Sequence, residues 1–541
     1  METSKIKEKY IYLYLIILGF IVCLLTRYIS PLYNTTATDT DVLLTIGRGW
    51  LNGKMPYRDL YDHKGFILHF LYMLSAFIQS NGYIGIFIID TIIVTIDLFA
   101  LYKLTTLFCK EKNYQIAIIT IIGLIMHIHC LGGLALQSET MAIGCYSYAL
   151  YLMIRKLRDD IEIKYIHWYF IGITSALLLW SKITLTGFYI GYIIPYFIYC
   201  IKQKKIRTFC KNILFIVLGI LTITLPFFIY MLCQGYFENF LHTYFYQNLF
   251  NYKDTNNSIL IVYLTAIKKY VIFINLSLFP IIAVILKIKY RPSPKLYLCE
   301  PINQKEKPKY KSVIILSFIT AFICQFLNRA GWGYYYTIFI IWTTLGLIII
   351  LRDMKRKGYF KYLLKKRSPF KNAKQQLIMS IIPILFLLLC FTRSGTINYL
   401  VYMEDRQEFM DDATSVIEKD WETKSLDVMT DNDRLLSQGA INPNIKPRIL
   451  EYDLLMCKEY TDWDITPDMK TFAFLGINME ENIKERNKLI EEKYPDYIVT
   501  SINKDIDGYT KIYERKIRKE DDSRSFDILR QGDTIYIYRK D

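Results

Sequence analysis

Residues 39–65 read DTDVLLTIGRGWLNGKMPYRDLYDHKG. The stretch gathers Asp39, Asp41, Asp59 and Asp62 with Arg48, Lys54, Arg58, His63 and Lys64, and apolar runs lie on both sides of it. The run before it, residues 10–27, is long enough to cross a bilayer core of about 30 Å as a helix. The run after it, from Gly65 to Gln79, reaches only about 22 Å as a helix. Ser80, Asn81 and Gly82 follow at once, so this short run predicts an interfacial or re-entrant helix. The charged stretch is thereby placed against a membrane surface.

Further apolar runs recur at 83–107, 114–131, 139–154, 165–181, 183–201, 212–233, 270–287, 312–328, 334–351 and 376–393. With 10–27 they make about eleven transmembrane helices. A content of 53% hydrophobic and 21% charged residues fits this and excludes an ordinary soluble chain. The first run has basic residues before it (Lys5, Lys7 and Lys9) and no small-residue cleavage site, which reads as a retained signal anchor. Ten Lys and Arg lie between Arg352 and Lys374, and eight between Lys287 and Lys311. The positive-inside rule then places the N-terminus in the cytoplasm, and the loop 28–82, the loop 234–269 and the tail outside, in a cell-membrane protein.

The formal net charge of +16 is unevenly spread. Residues 1–400 carry 44 Lys and Arg against 18 Asp and Glu, whereas residues 401–541 carry 22 against 32. The basicity belongs to the membrane part, so nucleic acid is not an expected partner. Neither GxxxxGK[ST] nor GxGxxG occurs, and the longest cytoplasmic loop is too short for a nucleotide-binding domain. The eleven cysteines imply no disulfide framework, and Cys233 and Cys457 are the expected exposed ones. Two domains follow, 1–395 in the membrane and 396–541 as an extracytoplasmic α/β domain. For the latter the pattern predicts a helix at 402–420, a strand at Leu426–Met429, a helix at Asn478–Lys493 and a strand at Tyr497–Thr500. It also predicts a hairpin of Phe526–Leu529 with Thr534–Tyr538.

Carboxylates beside cations suit transfer from a phosphorylated lipid. One group takes a proton from an acceptor hydroxyl, while others hold the charge of the departing phosphate. A solvated loop touching lipid headgroups, with Asp39 capping a helix, would hold the same residues. The order of an acidic pair, GRGWLNGKMPYRD and DHKG before a short apolar helix resembles the first outer loop of GT-C glycosyltransferases. Within these it is most similar to the branch of protein mannosyltransferases and aminoarabinose transferases, which includes bacterial teichoic-acid glycosylation proteins. The resemblance implies a GT-C-like bundle and a glycosyltransferase, hexosyl- or pentosyl-transferring and inverting. Its donor would be a polyprenyl-phosphate-linked sugar, and its acceptor a cell-surface glycan, lipid or protein at the outer face of the bilayer. No nucleotide would be used.

Carried over, Asp39 takes the place of the catalytic acid and general base, with Asp41 as the alternate because Thr40 separates the usually adjacent pair. The two would also be the ligands if a divalent cation, Mg or Mn, is used. Lys64, His63 and Arg58 match the donor-phosphate side of the loop, although Gly65 and Phe66 replace the usual proline. Asp59 is a sugar- or acceptor-binding candidate. Gln137-Ser138-Glu139 resembles a polar motif of the sugar cavity, against which Glu139 as a helix cap stands open. Lys182 of Trp180-Ser181-Lys182 and Arg329 of Asn328-Arg329 resemble further phosphate-gripping residues. Tyr334 resembles a sugar-stacking residue, and Tyr335 and Tyr336 read as an interfacial aromatic belt. Asp90 and Asp97, seven apart in one span, have no role in the resemblance. They carry the alternative reading, a secondary transporter or lipid-carrier flippase.

Overall fold

The computed structural model describes residues 8–26, 29, 31, 38–126, 135–251, 258–273, 276–289, 310–329, 331–356, 412–423, 446–453, 457–474, 480–516 and 534–541. The span expected at 376–393, the strand at Leu426–Met429 and the hairpin arm Phe526–Leu529 lie outside these residues. In chain order the helices begin α1 Glu8–Thr26, α2 Thr38–Leu51, α3 Phe66–Ile78, α4 Ile84–Thr106, α5 Lys112–Ile125, α6 Ser138–Asp159 and α7 Tyr165–Leu179. They continue with α8 Gly187–Lys202, α9 Ile206–Cys233, α10 Phe237–Phe240, α11 Ile259–Lys268, α12 Leu278–Lys289, α13 Tyr310–Gln325 and α14 Ile340–Arg356. The tail adds helices at 412–423, Lys458–Asp462 and Glu480–Glu491. Its strands are β1 Ile449–Glu451, β2 Tyr497–Thr500, β3 Tyr509–Lys516 and β4 Thr534–Lys540. The chain forms two compact units.

The first unit comprises Met1–Arg27, Phe87–Cys233 and Lys253–Ile397, and its described elements are helical. Among the described residues five helical segments are long and apolar enough to cross a membrane, at Glu8–Leu25, Ile84–Thr106, Ile183–Lys202, Ile206–Cys233 and Gly333–Arg352. On α9 the large apolar residues Leu214, Leu218, Leu221, Leu225, Ile229 and Leu232 are all exposed. Their spacing of three and four makes one continuous stripe, an apolar face of the kind that meets lipid. The opposite face of α9 packs on α7, where Gly172 lies against the Ile216 carbonyl and Gly219 against the Tyr169 carbonyl. A Cβ at either position would collide with backbone, which has no rotamer to escape into.

Two sequence expectations change in this unit, and Asp90 and Asp97 gain partners. The helix expected through 270–287 is interrupted, because Ser277 Oγ donates to the Tyr270 and Val271 carbonyls at 2.8 and 3.2 Å, and α12 starts afresh at Leu278. Tyr335 and Tyr336 are buried, at 2% and 0% exposure, so they are core residues rather than a surface belt. Asp90 Oδ1 accepts the Leu136 N–H at 2.7 Å, and Asp97 Oδ1 accepts the Gly144 N–H at 2.8 Å. Each carboxylate thus tethers α4 to the chain in or just before α6.

The second unit comprises Tyr28–Ile86, Gln234–Tyr252 and Asn398–Asp541. Its sheet has the order β1-β2-β4-β3, with β1 and β2 parallel and the other pairs antiparallel. A parallel pair needs a crossover, and Glu480–Glu491 lies within it. β2, the strand expected at Tyr497–Thr500, is buried throughout, as a central strand covered on both faces should be. The arm expected at Thr534–Tyr538 is a strand, β4, which among the described residues pairs with β2 on one edge and with β3 on the other. Cys457 is buried rather than exposed, its N–H and thiol both donating to the buried Glu451 carboxylate. The stretch 39–65 is not a solvated strap either. Val42, Ile46 and Leu60 join Tyr460, Ile465 and Phe472 of the tail in one hydrophobic core.

Gly172→Val and Gly219→Val should each overpack the α7–α9 contact and cost on the order of 1–3 kcal/mol. The expected readout is a lower thermal midpoint of the purified protein, and an unchanged midpoint in both variants would contradict the contact.

Candidate active site

Asp39 and Asp41 sit in the first turn of α2. Two helical residues are separated by about 200° around the axis, so the acids face different surroundings. Asp39 keeps 24% side-chain exposure, and its Oδ1 lies 3.6 Å from Lys64 Nζ. Asp41 is fully buried, and its Oδ1 accepts from Tyr83 Oη at 2.5 Å and from Thr461 Oγ1 at 3.1 Å. Its Oδ2 is buried without a hydrogen-bond partner among the described residues. Burial pushes the Asp41 carboxyl well above the usual range, with Asp462 and Glu459 adding to the effect against the two hydrogen bonds. A neutral carboxyl is the form that such a site holds at least cost.

Lys64 is held from behind by Asp62. Lys64 Nζ lies 3.7 Å from Asp62 Oδ1, and His63 Nδ1 lies 3.3 Å from the same oxygen. His69 Nε2, on the buried face of α3, is 2.9 Å from Asp62 Oδ2. Burial raises the Asp62 carboxyl, but Lys64, His63 and His69 together hold it well below the usual range. Asp62 is thus a buried anion compensated by its neighbours. Burial also lowers the His63 imidazole, so His63 favours its neutral form. Tyr57, fully buried at φ +69°, donates from its hydroxyl to the Lys64 carbonyl at 2.8 Å. A non-glycine residue in that region is strained by about 1–3 kcal/mol and persists only where its surroundings fix it. Here the His69 and Phe240 rings pack against Tyr57 at 5.2 and 5.3 Å.

Arg58 and Asp59 pair with each other, Nε to Oδ1 at 2.9 Å and Nη2 to Oδ2 at 2.8 Å. Asp59 also accepts the Met55 N–H at 2.7 Å, closing the 55–60 turn. Arg48, 2% exposed, anchors the whole stretch. It donates to the Ser80, Tyr460 and Ile465 carbonyls at 2.8, 2.5 and 2.8 Å and pairs with Asp464 at 3.3 Å.

The remaining candidates lie in the first unit. Lys182 Nζ is 2.5 Å from Glu139 Oε1, which also accepts from Gln325 Nε2 at 3.1 Å. Glu139 therefore engages side chains of the turn after α7 and of α13. The Lys182 ammonium lies 3.4 Å from the Tyr335 ring centre and 5.6 Å from that of Tyr334. Gln137 precedes α6 and is 4% exposed, with its Nε2 buried and unpartnered among the described residues. Arg329 is half-buried at φ +60°.

Four residues of the loop site escaped the sequence reading. Asp62 stood in the quoted stretch, but nothing there distinguished it from Asp59. His69 had a signal, as the single histidine in the apolar run FILHFLYMLSAFI. Tyr83 and Thr461 had none, since their role depends on where Asp41 is buried.

No protein-family model and no curated protein matches the chain. Solved structures do. ArnT from Cupriavidus metallidurans bound to undecaprenyl phosphate superposes with a TM-score of 0.51 at 9% identity, over 98% of this chain and 97% of that one. The same protein in the apo state gives 0.49 at 10% identity, over 91% and 92%. The oligosaccharyltransferase AglB from Archaeoglobus fulgidus, solved with an inhibitory peptide and a dolichol-phosphate, gives 0.48 at 10% identity, over 91% and 69%. The match to ArnT bound to undecaprenyl phosphate shows that the chain has a GT-C-like fold.

A carboxyl raised by folding binds more protons in the native than in the unfolded state, so its contribution to stability falls as pH rises through the interval between the two pKa values. Asp41→Asn keeps the acceptor oxygen for Tyr83 and Thr461 and removes that slope. The variant should melt at or above the wild-type temperature at pH 8 and lose part of the wild type's decline between pH 4 and pH 8. A strong loss of stability at pH 8 would show that Asp41 is ionised.

Proposed function

We propose that the protein is a membrane glycosyltransferase that moves a sugar from a polyprenyl-phosphate carrier to a hydroxyl of a cell-surface glycan, lipid or protein on the outer face of the cell membrane. The observation that carries this reading is the unequal pair of acids on α2, one accessible carboxylate beside an ammonium and one buried carboxyl. The GT-C-like fold and the lipid phosphate bound by the structural neighbour ArnT support it.

In this reading Asp39 is the general base. It takes the acceptor proton as the acceptor oxygen bonds to the anomeric carbon, and the bond to the carrier oxygen breaks with its electron pair leaving on the phosphate. A single displacement inverts the anomeric centre. Lys64, fixed by Asp62 and Tyr57, balances the negative charge that develops on the phosphate. Lys182 and Arg329 remain donor-phosphate candidates, and Glu139, Gln137 and Tyr334 sugar candidates, within their own unit. Asp39 Oδ1 lies beside Lys64, and Asp41 Oδ1 accepts from Tyr83 and Thr461. No step is assigned to a metal.

In vesicles supplied with polyprenyl-phosphate sugars, Asp39→Asn should lower the transfer rate by about 10²–10⁴-fold at unchanged expression. Asp41→Asn should retain most of the activity. Wild-type transfer by Asp39→Asn would sink the assignment of the base.

A further inference from the structure

In the second unit a cavity of about 250 Å³ opens beside Tyr61, the residue before Asp62. That is smaller than the roughly 300–1,000 Å³ of clefts for drug-sized ligands, and it suits one hexose-sized unit. The mainly apolar lining usual for such clefts is replaced here by side chains that nearly all carry hydrogen-bonding groups.

Three chain segments and Lys470 build it. From α10 and the π-helix Leu241–Asn251 that continues it come Glu238, Asn239, His242, Thr243 and Gln247. Bonding from i to i+5 winds the backbone wider than an α-helix, which lets residues four and five apart share the face toward the cavity. From the helix Glu480–Glu491 come Glu481, Asn482 and Glu485, and Lys470 adds an ammonium. The third segment is the outer loop, through Tyr61. Burial raises its phenol well above the usual value, so it remains a protonated donor, bonded to Gln247 Oε1 at 2.8 Å. Gln247 in turn donates to Glu481 at 3.2 Å. The lining is therefore pre-ordered, and its polar groups are not those of a collapsed core.

Its chemistry selects the ligand. Three carboxylates accept hydrogen bonds only, whereas the lysine and the asparagine amides donate. A hydroxyl does both, so a polyol satisfies such a lining. A phosphate, or the carboxylate of a uronate, brings a negative charge to a lining with three carboxylates and one ammonium, and is repelled. We propose that this cavity binds a neutral, hydroxyl-rich unit, a single hexose or short polyol, as part of the acceptor. Its identity as acceptor rests on the transferase reading, whereas the binding of a neutral polyol does not.

The full-length protein in nanodiscs, examined by saturation-transfer NMR, tests this with glycerol, glucuronate and the methyl glycosides of glucose, galactose, mannose and N-acetylglucosamine. At least one neutral probe should bind and glucuronate should not. Glu238→Ala and Glu485→Ala, whose side chains are not fully buried, should each weaken binding at least tenfold with an unchanged melting temperature. Asp39→Asn should bind like the wild type. Absence of binding by every neutral probe, equal binding of glucuronate, or undiminished binding in both Glu variants would overturn the proposal. Binding as described without sugar transfer by the wild type would instead remove the transferase reading and leave the pocket standing.

Discussion

The buried guanidinium of Arg48 holds the second unit together. It belongs to α2, yet its two Nη groups donate to carbonyls at Ser80, Tyr460 and Ile465, groups up to 417 residues away in sequence. Taking such a charge out of water is costly unless it is fully bonded, and removing one partner of a buried ionic contact typically costs about 3–5 kcal/mol. The bonds therefore fix the outer loop to the tail. They also fix the rotation of α2 about its axis, and that rotation decides what Asp39 and Asp41 face.

The chemical asymmetry of the two acids follows from this geometry. With α2 locked and Val42 and Ile46 in the tail's core, Asp41 meets Tyr83 and Thr461, and Asp39 is left at the edge beside Lys64. Two carboxyls in environments of different polarity can hold different protonation states at one pH. Asp62 is a third case, since it is as buried as Asp41 but surrounded by Lys64, His63 and His69. Its charge is retained because partners replace the lost water.

Much of the membrane part was legible in the sequence, since a helix in lipid must be apolar over its whole length and α1, α4, α8 and α9 follow from that alone. The stretch 39–65 was legible as a cluster of charged side chains because charged residues flanked by apolar runs are rare. The partition of roles within it was not. Thr40 between two acids reveals a spacing but not which face is buried, and the burying residues Thr461 and Tyr460 lie in the tail. The tail was harder. Short strands such as Ile449–Glu451 carry too few residues for a period to show, and the pairing of β4 with β2 and β3 depends on contacts distant in sequence. Cys457 looked exposed because it lies outside the long apolar runs, but Glu451, which binds it, is itself inside the core.

The central claim is that the accessible acid of the pair, Asp39, removes the acceptor proton. Chemical rescue tests it most directly, because a small carboxylate can enter the space vacated at an open position. Sugar transfer by Asp39→Ala and Asp41→Ala is to be measured in vesicles with increasing formate at constant ionic strength. The expected result is that formate restores transfer in Asp39→Ala in proportion to its concentration and has no effect on Asp41→Ala. Restoration in Asp41→Ala alone would place the base at the buried position and contradict the assignment.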